Sequence, residues 1–220
     1  MFFQKKNIIP EPGQDGDLPE KTGPARFWEL IKEELAVVLI VNVLFLVTCV
    51  PIITIPPALF SLHKISHKII QDNPISCVRD YFAAFRQNWK CAYGAFFLVF
   101  LPMGAAGYGA VFYFGRAAGY SILIAPFAFC ITVFLVAMLA STYLYGLLCG
   151  GKPLRDAIRP ALLLGVAKPL RALLAALCYY GLPLLAILFF PISGAYLVLL
   201  GFSLPCLLGH FYIRTVLKNL

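Results

Sequence analysis

The sequence predicts an all-α, polytopic transmembrane helical bundle of about six spans, and three observations predict it. Of the 220 residues, 61% are apolar and 13% charged, with a mean hydropathy of +0.85. A soluble domain carries roughly 45–50% apolar and about 25% charged residues. The apolar residues fall in long runs separated by short basic gaps. Aromatic residues reach 15%, as rings at both membrane interfaces require. These proportions exclude an ordinary water-soluble enzyme, because too few charges remain to build its polar shell.

Along the chain, residues 1–25 mix charges with Pro10, Pro12, Gly13, Gly16, Pro19, Gly23 and Pro24. Such a composition buries too little to offset ordering, so a flexible cytoplasmic tail is expected. The start of the chain lacks the apolar stretch and small-residue cleavage site of a signal peptide, so the first span doubles as the insertion signal. The membrane domain takes up residues 26–220. Its first span runs over about 28–50. The fully apolar part, Leu35–Val50, would rise about 24 Å as a helix, short of a hydrocarbon core of about 30 Å. Extension back to Trp28, with Lys32 snorkelling, closes that gap.

Pro51, Thr54, Pro56 and Pro57 form a candidate turn motif, since proline ends one helix and suits the first turn of the next. The second span, about 52–70, is short and proline-rich, and a re-entrant segment is its alternative. Asn73-Pro74 then reads as an N-cap followed by a first helical proline. Over 74–90, Val78, Phe82, Phe85 and Trp89 recur at helical steps, with Arg79, Arg86, Gln87 and Lys90 mostly opposite. That pattern predicts an amphipathic helix lying in the interface. Spans follow at about 91–114, 119–149, 172–191 and 192–213. A second interfacial helix is expected at about 153–165, inside the cationic loop 150–171.

The charges orient the bundle. Seventeen of the eighteen Lys and Arg residues fall on one side if there are six spans, leaving Arg116 alone on the other. Five spans, with the N-terminus outside, would instead put six of them on the outer face. Lys and Arg counts decide orientation, so six spans with both termini cytoplasmic are preferred. The same cations attract anionic headgroups of the inner leaflet. A basic pI near 9.2 is thereby explained without nucleic acid as a partner.

No constellation of catalytic residues is legible. His63 and His67 stand at i, i+4, but two imidazoles do not complete a zinc site and no H-E-x-x-H is present. They read as polar residues at the cytoplasmic end of a span. The seven cysteines are scattered singly and read as small buried hydrophobes rather than a disulfide framework. The spans carry no carboxylate of the kind that ion-coupled carriers use. Asp80 and Asp156 read as charge partners of Arg79 and Arg155. No catalytic, cofactor or metal residues are therefore expected. Phe82, Phe85, Arg86, Asn88, Trp89 and Lys90 form the candidate interfacial or partner surface. A polar cavity lined by Asn42, Thr132, Tyr143 or Tyr179 is what a small permease for a neutral solute would require.

Three stretches carry a resemblance: Glu11-Pro-Gly-Gln-Asp-Gly-Asp-Leu-Pro-Glu-Lys21, Cys49-Val-Pro-Ile-Ile-Thr-Ile-Pro-Pro-Ala58 and Tyr81-Phe-Ala-Ala-Phe-Arg-Gln-Asn-Trp-Lys90. They resemble the YesL-like family of bacterial integral membrane proteins, a domain of unknown function common in Gram-positive bacteria. The family usually has glycine where this chain has Pro56, which stiffens the turn here. The resemblance implies a multi-pass protein of the plasma membrane, encoded near sugar-uptake transporters and sensor kinases, with no established activity. It leads to an expectation of a non-enzymatic accessory or regulatory component. Its partners would be a sugar ABC transporter or sensor kinase, and the lipid bilayer itself.

Overall fold

The computed structural model describes residues 24–117 and 121–217, and among these it is all-helical, with no strand. The tail assigned to residues 1–25 lies almost wholly outside them. The helices are α1 (Pro24–Cys49), α2 (Ile55–Ile70), α3 (Cys77–Gln87), α4 (Trp89–Ala117) and α5 (Ile124–Cys149). Then come α6 (Leu154–Ala167), α7 (Pro169–Ala176), α8 (Leu182–Leu188), α9 (Gly194–Leu199) and α10 (Ser203–Leu217).

Three helices are long and apolar enough to cross a membrane: Trp89–Arg116, Ile124–Cys149 and the continuous α7–α8 rod, Pro169–Leu188. The other predicted spans are interrupted or short for identifiable reasons. In α1, Glu34 leaves helical geometry (φ −111°, ψ 15°), separating the charged first turns from the apolar remainder. At the far end, α9 and α10 are separated by Leu200–Phe202. Helix α2 is unbroken but has 16 residues, a rise of about 24 Å.

The prolines do what their chemistry dictates. Pro51 follows α1, a single 3-10 turn covers Ile52–Thr54, and Pro56 and Pro57 occupy the first turn of α2, where missing N–H groups cost nothing. The Thr54 hydroxyl lies within hydrogen-bond reach of the Thr48 and Pro51 carbonyls, tying the turn to the end of α1.

Helix α2 is the axis of the molecule. Pro56, Pro57, Ala58, Phe60, Ser61, Leu62, His63, Ile65, Ser66, Ile69 and Ile70 are all buried, so apolar and small residues surround it on nearly every side. One core packs α2 against α1, α3 and α10 through Val38, Val41, Phe45, Leu62, Ile65, Tyr81 and Leu207. A second joins α4, α5, α6, α7 and α10 through Ala92, Ala95, Tyr143, Leu147, Ala161, Ala175 and Ile213.

The α4–α5 hairpin extends from this second core. Small residues allow close approach: a Cβ on Gly109 would stand 2.8 Å from the Cys130 sulfur. Its outward side chains, Leu101, Tyr108, Val111, Phe114 and Phe129, are more than two-thirds exposed. Hydrocarbon is the solvent that suits such a surface. Helix α6 lies along α5 through Ala157, Ala161 and Gly165, and a Cβ on Gly165 would stand 3.1 Å from the Ala140 backbone nitrogen, a tight contact.

Candidate functional site

The buried centre of the bundle holds a cluster of polar groups from distant parts of the chain. His63 enters from α2, and Cys206 and His210 from α10. Their ligating atoms all lie within 4.8 Å of one another. His63 Nδ1 is 3.0 Å from His210 Nε2 and 3.4 Å from the Cys206 sulfur. Position 63 faces α10 because α2 is enclosed, so His63 is a core residue rather than an interfacial one.

Neighbouring rings fix the arrangement. Tyr145 of α5 stacks on the His63 imidazole, with centroids 4.4 Å apart and planes 7° apart. Tyr179 meets the same ring edge-on at 5.0 Å. Tyr179 sits in a π-helical segment, Leu177–Gly181, between α7 and α8. Such segments rotate a side chain out of the regular helical register. Gly209 makes room for it, because a Cβ there would come within 2.3 Å of the tyrosine ring. Ser66, one turn below His63 on α2, is buried too.

Two cavities reach the cluster. One, about 250 Å³, is lined by His67, Gln71, Gly150, Lys152, His210 and Arg214. The ends of α2, α5 and α10 meet there, and its wall is cationic. The other, about 410 Å³, is apolar and is lined by Leu59, His63, Phe100, Tyr145, Tyr179 and Cys206 among others. His210 therefore faces one cavity and His63 the other. Within the buried region, His210 Nδ1, the Tyr179 hydroxyl, the Ser203 hydroxyl and Arg214 Nη1 have no hydrogen-bond partner. Chemically, the cluster can share one proton between two imidazoles or present two nitrogens and a sulfur to a metal ion.

The residues singled out from the sequence take varied positions. Thr132 donates to the Ala128 carbonyl (2.9 Å) and lines a separate apolar cavity among α4, α5 and α6. Asn42 is consumed in backbone hydrogen bonds to the α9–α10 break. The Tyr143 hydroxyl reaches the Lys168 carbonyl at 3.4 Å. Of those four, Tyr179 alone is placed beside the cluster. On α3, Phe82 and Arg86 are exposed, as are Trp89 and Lys90 at the start of α4. Phe85 is partly buried against the α1–α2 core, and the Asn88 side chain donates to the Ala84 carbonyl at the α3–α4 break (3.3 Å). Tyr81 and Ala84 are the residues that α3 buries. Asp80 pairs with Lys68 of α2 at 2.9 Å. Sequence spacing does not bring Cys206 and His210 to His63, because 143 and 147 positions separate them. No local spacing announces such a set.

Outside the spans, burial is the main cause that pushes the Cys77 thiol up to about 11, with Asp80 and Glu34 adding to it. Burial likewise raises the Tyr81 phenol, against a smaller opposing effect of its hydrogen bond with Thr48.

Fold and site together describe, over the described residues, an all-helical structure with helices able to cross a membrane around a polar centre. The family model described as "Protein of unknown function, DUF624" matches residues 38–110. That stretch runs from the apolar part of α1 through α2 and α3 into α4, so it contains His63 and the exposed α3 surface but not α10. No curated protein matches the chain, and no solved structure matches it.

Proposed function

We propose that this chain is a six-span plasma-membrane protein with both termini in the cytoplasm, acting as a non-enzymatic accessory component of a transport system. The YesL-like resemblance points to carbohydrate uptake in a Gram-positive bacterium. The observation that carries the reading is the surface left by α3 and the start of α4. Val78, Phe82, Arg86, Trp89 and Lys90 are exposed while Tyr81 and Ala84 anchor the helix inward. The fold thus holds a basic, aromatic surface in place without using it for its own packing. Anionic headgroups and a transporter subunit are the partners such a surface suits.

The six-span count draws support from helix ends that gather at one end, whereas the Tyr93 hydroxyl at the start of α4 donates to the Ile53 carbonyl of the α1–α2 turn, the contact that a re-entrant second segment would make. Ile70 of α2, Gly150 after α5, and Arg214 and Leu217 of α10 line one cavity. The Cys77 sulfur meets the Val37 carbonyl near the beginning of the apolar part of α1. Lys64, Lys68, Lys152 and Arg214 lie toward this end, whereas Arg116 closes α4 in the hairpin, as the positive-inside pattern requires. A reporter fused at residue 20 is expected to read cytoplasmic, and one inserted beside Arg116 to read external. For the accessory role, purification in mild detergent is expected to bring down transporter subunits, and Phe82→Ala with Trp89→Ala to release them. A chain that purifies alone in both forms counts against it.

A permease for a neutral solute is the second reading, favoured by the two cavities that face opposite members of the His63–His210 pair. Uptake by the chain reconstituted alone would select it.

A further inference from the structure

The geometry points to a metal site that the accessory reading does not use: His63, Cys206 and His210 hold a soft monovalent ion of the Cu(I) class. Three observations carry it.

The first is convergence. A metal–nitrogen bond of about 2.0–2.1 Å and a metal–sulfur bond of about 2.3 Å put ligand atoms roughly 3.3–3.7 Å apart around one ion. The observed separations are 3.0 Å for nitrogen to nitrogen and 3.4 Å for sulfur to nitrogen. The remaining pair, the Cys206 sulfur and the His210 nitrogen, lies within 4.8 Å, so small side-chain shifts bring the three atoms onto one ion. His63 ligates through Nδ1 and His210 through Nε2. That leaves His210 Nδ1 as the N–H, and it has no protein partner now. It belongs to the residue that lines the 250 Å³ cavity.

The second is support. Stacking by Tyr145, edge contact by Tyr179 and full burial of Ser66, Cys206 and His210 hold the ligands in place without a metal. Rings fixed in this way are what a built site needs around its ligands. A way in exists through the cavity beside His67 and His210.

The third is charge, and it selects the ion. Two imidazoles and a thiol favour soft or borderline metals over magnesium or calcium. Binding removes the thiol proton, which leaves to solvent, so the site contributes one negative charge. With Cu(I) the assembly is neutral. With Zn(II) it keeps a positive charge in a buried position, where no carboxylate joins the group among the described residues. Lys152 and Arg214 in the adjoining wall add to that penalty. An uncompensated buried charge is costly, so the monovalent ion is favoured.

The full chain in lipid nanodiscs, titrated anaerobically with Cu(I) against the chelator bicinchoninate, tests this. One equivalent of Cu(I) per chain is expected to be retained. Cys206→Ser and His210→Ala are expected to weaken retention at least ten-fold. Cys130→Ser, a thiol in the α4–α5 hairpin, is expected to leave retention unchanged. Should the site variants fail to stay monodisperse, X-ray absorption of the wild-type complex decides alone. One sulfur and two nitrogens around copper support the site, and a shell without sulfur overturns it. Retention unchanged in Cys206→Ser overturns it as well, as does equal affinity for Zn(II) measured in the same competition format.

Discussion

The Asn42 side chain is bound to the backbone around Phe202 through both of its polar atoms. Its oxygen accepts the N–H groups of Phe202 and Ser203, each at 3.0 Å. Its nitrogen donates to the carbonyls of Leu197 and Val198 at 2.9 and 2.7 Å. The break between α9 and α10 frees backbone groups inside an apolar bundle, and one fully buried amide satisfies four of them. Asn42→Leu keeps the approximate size but orphans all four groups. At about 0.5–1.5 kcal/mol per bond, the expected loss is on the order of 2–6 kcal/mol. Thermal unfolding in detergent reads it, and a variant as stable as wild type would remove Asn42 from this role.

Gly209 and Tyr179 should behave as one unit. A methyl group at position 209 would meet the tyrosine ring at 2.3–2.7 Å, so Gly209→Ala must push Tyr179 away from His63. Overpacking of this kind costs about 1–3 kcal/mol. Tyr179→Ala alone leaves a hole between α7 and α10. In the double variant the added methyl has space, so the two losses should sum to more than the combined effect. A double-mutant cycle measures this, and strictly additive losses would contradict the packing described here.

Lys64 reaches from α2 to the last carbonyl of α5, with its ammonium 2.7 Å from the Cys149 oxygen. A cation at a helix C-terminus offsets the partial negative charge of unpaired carbonyls. Lys64→Met keeps the aliphatic stem and removes the charge. The expected cost is about 0.3–2 kcal/mol, with Lys64→Arg retaining part of the effect. Melting temperatures of the three proteins at one salt concentration check the order wild type, arginine, methionine.

The fold divides between what neighbouring residues dictate and what only packing decides. Apolar runs announce α4, α5 and the α7–α8 rod because length and hydropathy are local properties. Pro51, Pro56 and Pro57 announce the turn between α1 and α2 for the same reason. The spacing of Val78, Phe82, Phe85 and Trp89 predicts one apolar ridge over 74–90, but the helix breaks at Asn88, Phe85 turns partly into the core, and Tyr81 anchors α3. Three features were not legible. These are the kink at Glu34, the π segment that holds Tyr179, and the meeting of His63 with Cys206 and His210, which lie 143 and 147 positions away. The cluster in particular exists because α2 is enclosed, and enclosure is a property of the assembled bundle.

Cys77 offers a pH test of how closely α3 is held. The thiol is pushed up to about 11 from the ordinary 9.0, so folding favours its neutral form. In the unfolded chain the thiol ionises near pH 9, and in the folded chain only near 11. Below pH 9 both forms are neutral and the preference costs nothing. Between about 9 and 11 the unfolded state gains by ionising while the folded state does not, so stability declines as pH rises through that window. Alkylation follows the same sign, since the thiolate is the nucleophile. Site-resolved iodoacetamide labelling in nanodiscs is expected to stay slow at pH 8–9 and to rise with a midpoint near 11. A variant that loosens α3, Tyr81→Ala, removes the phenol that bonds the Thr48 hydroxyl at 2.7 Å, and should move that midpoint down toward 9. Labelling of the wild type with a midpoint already at 9 would mean that α3 does not shield Cys77 as the packing requires.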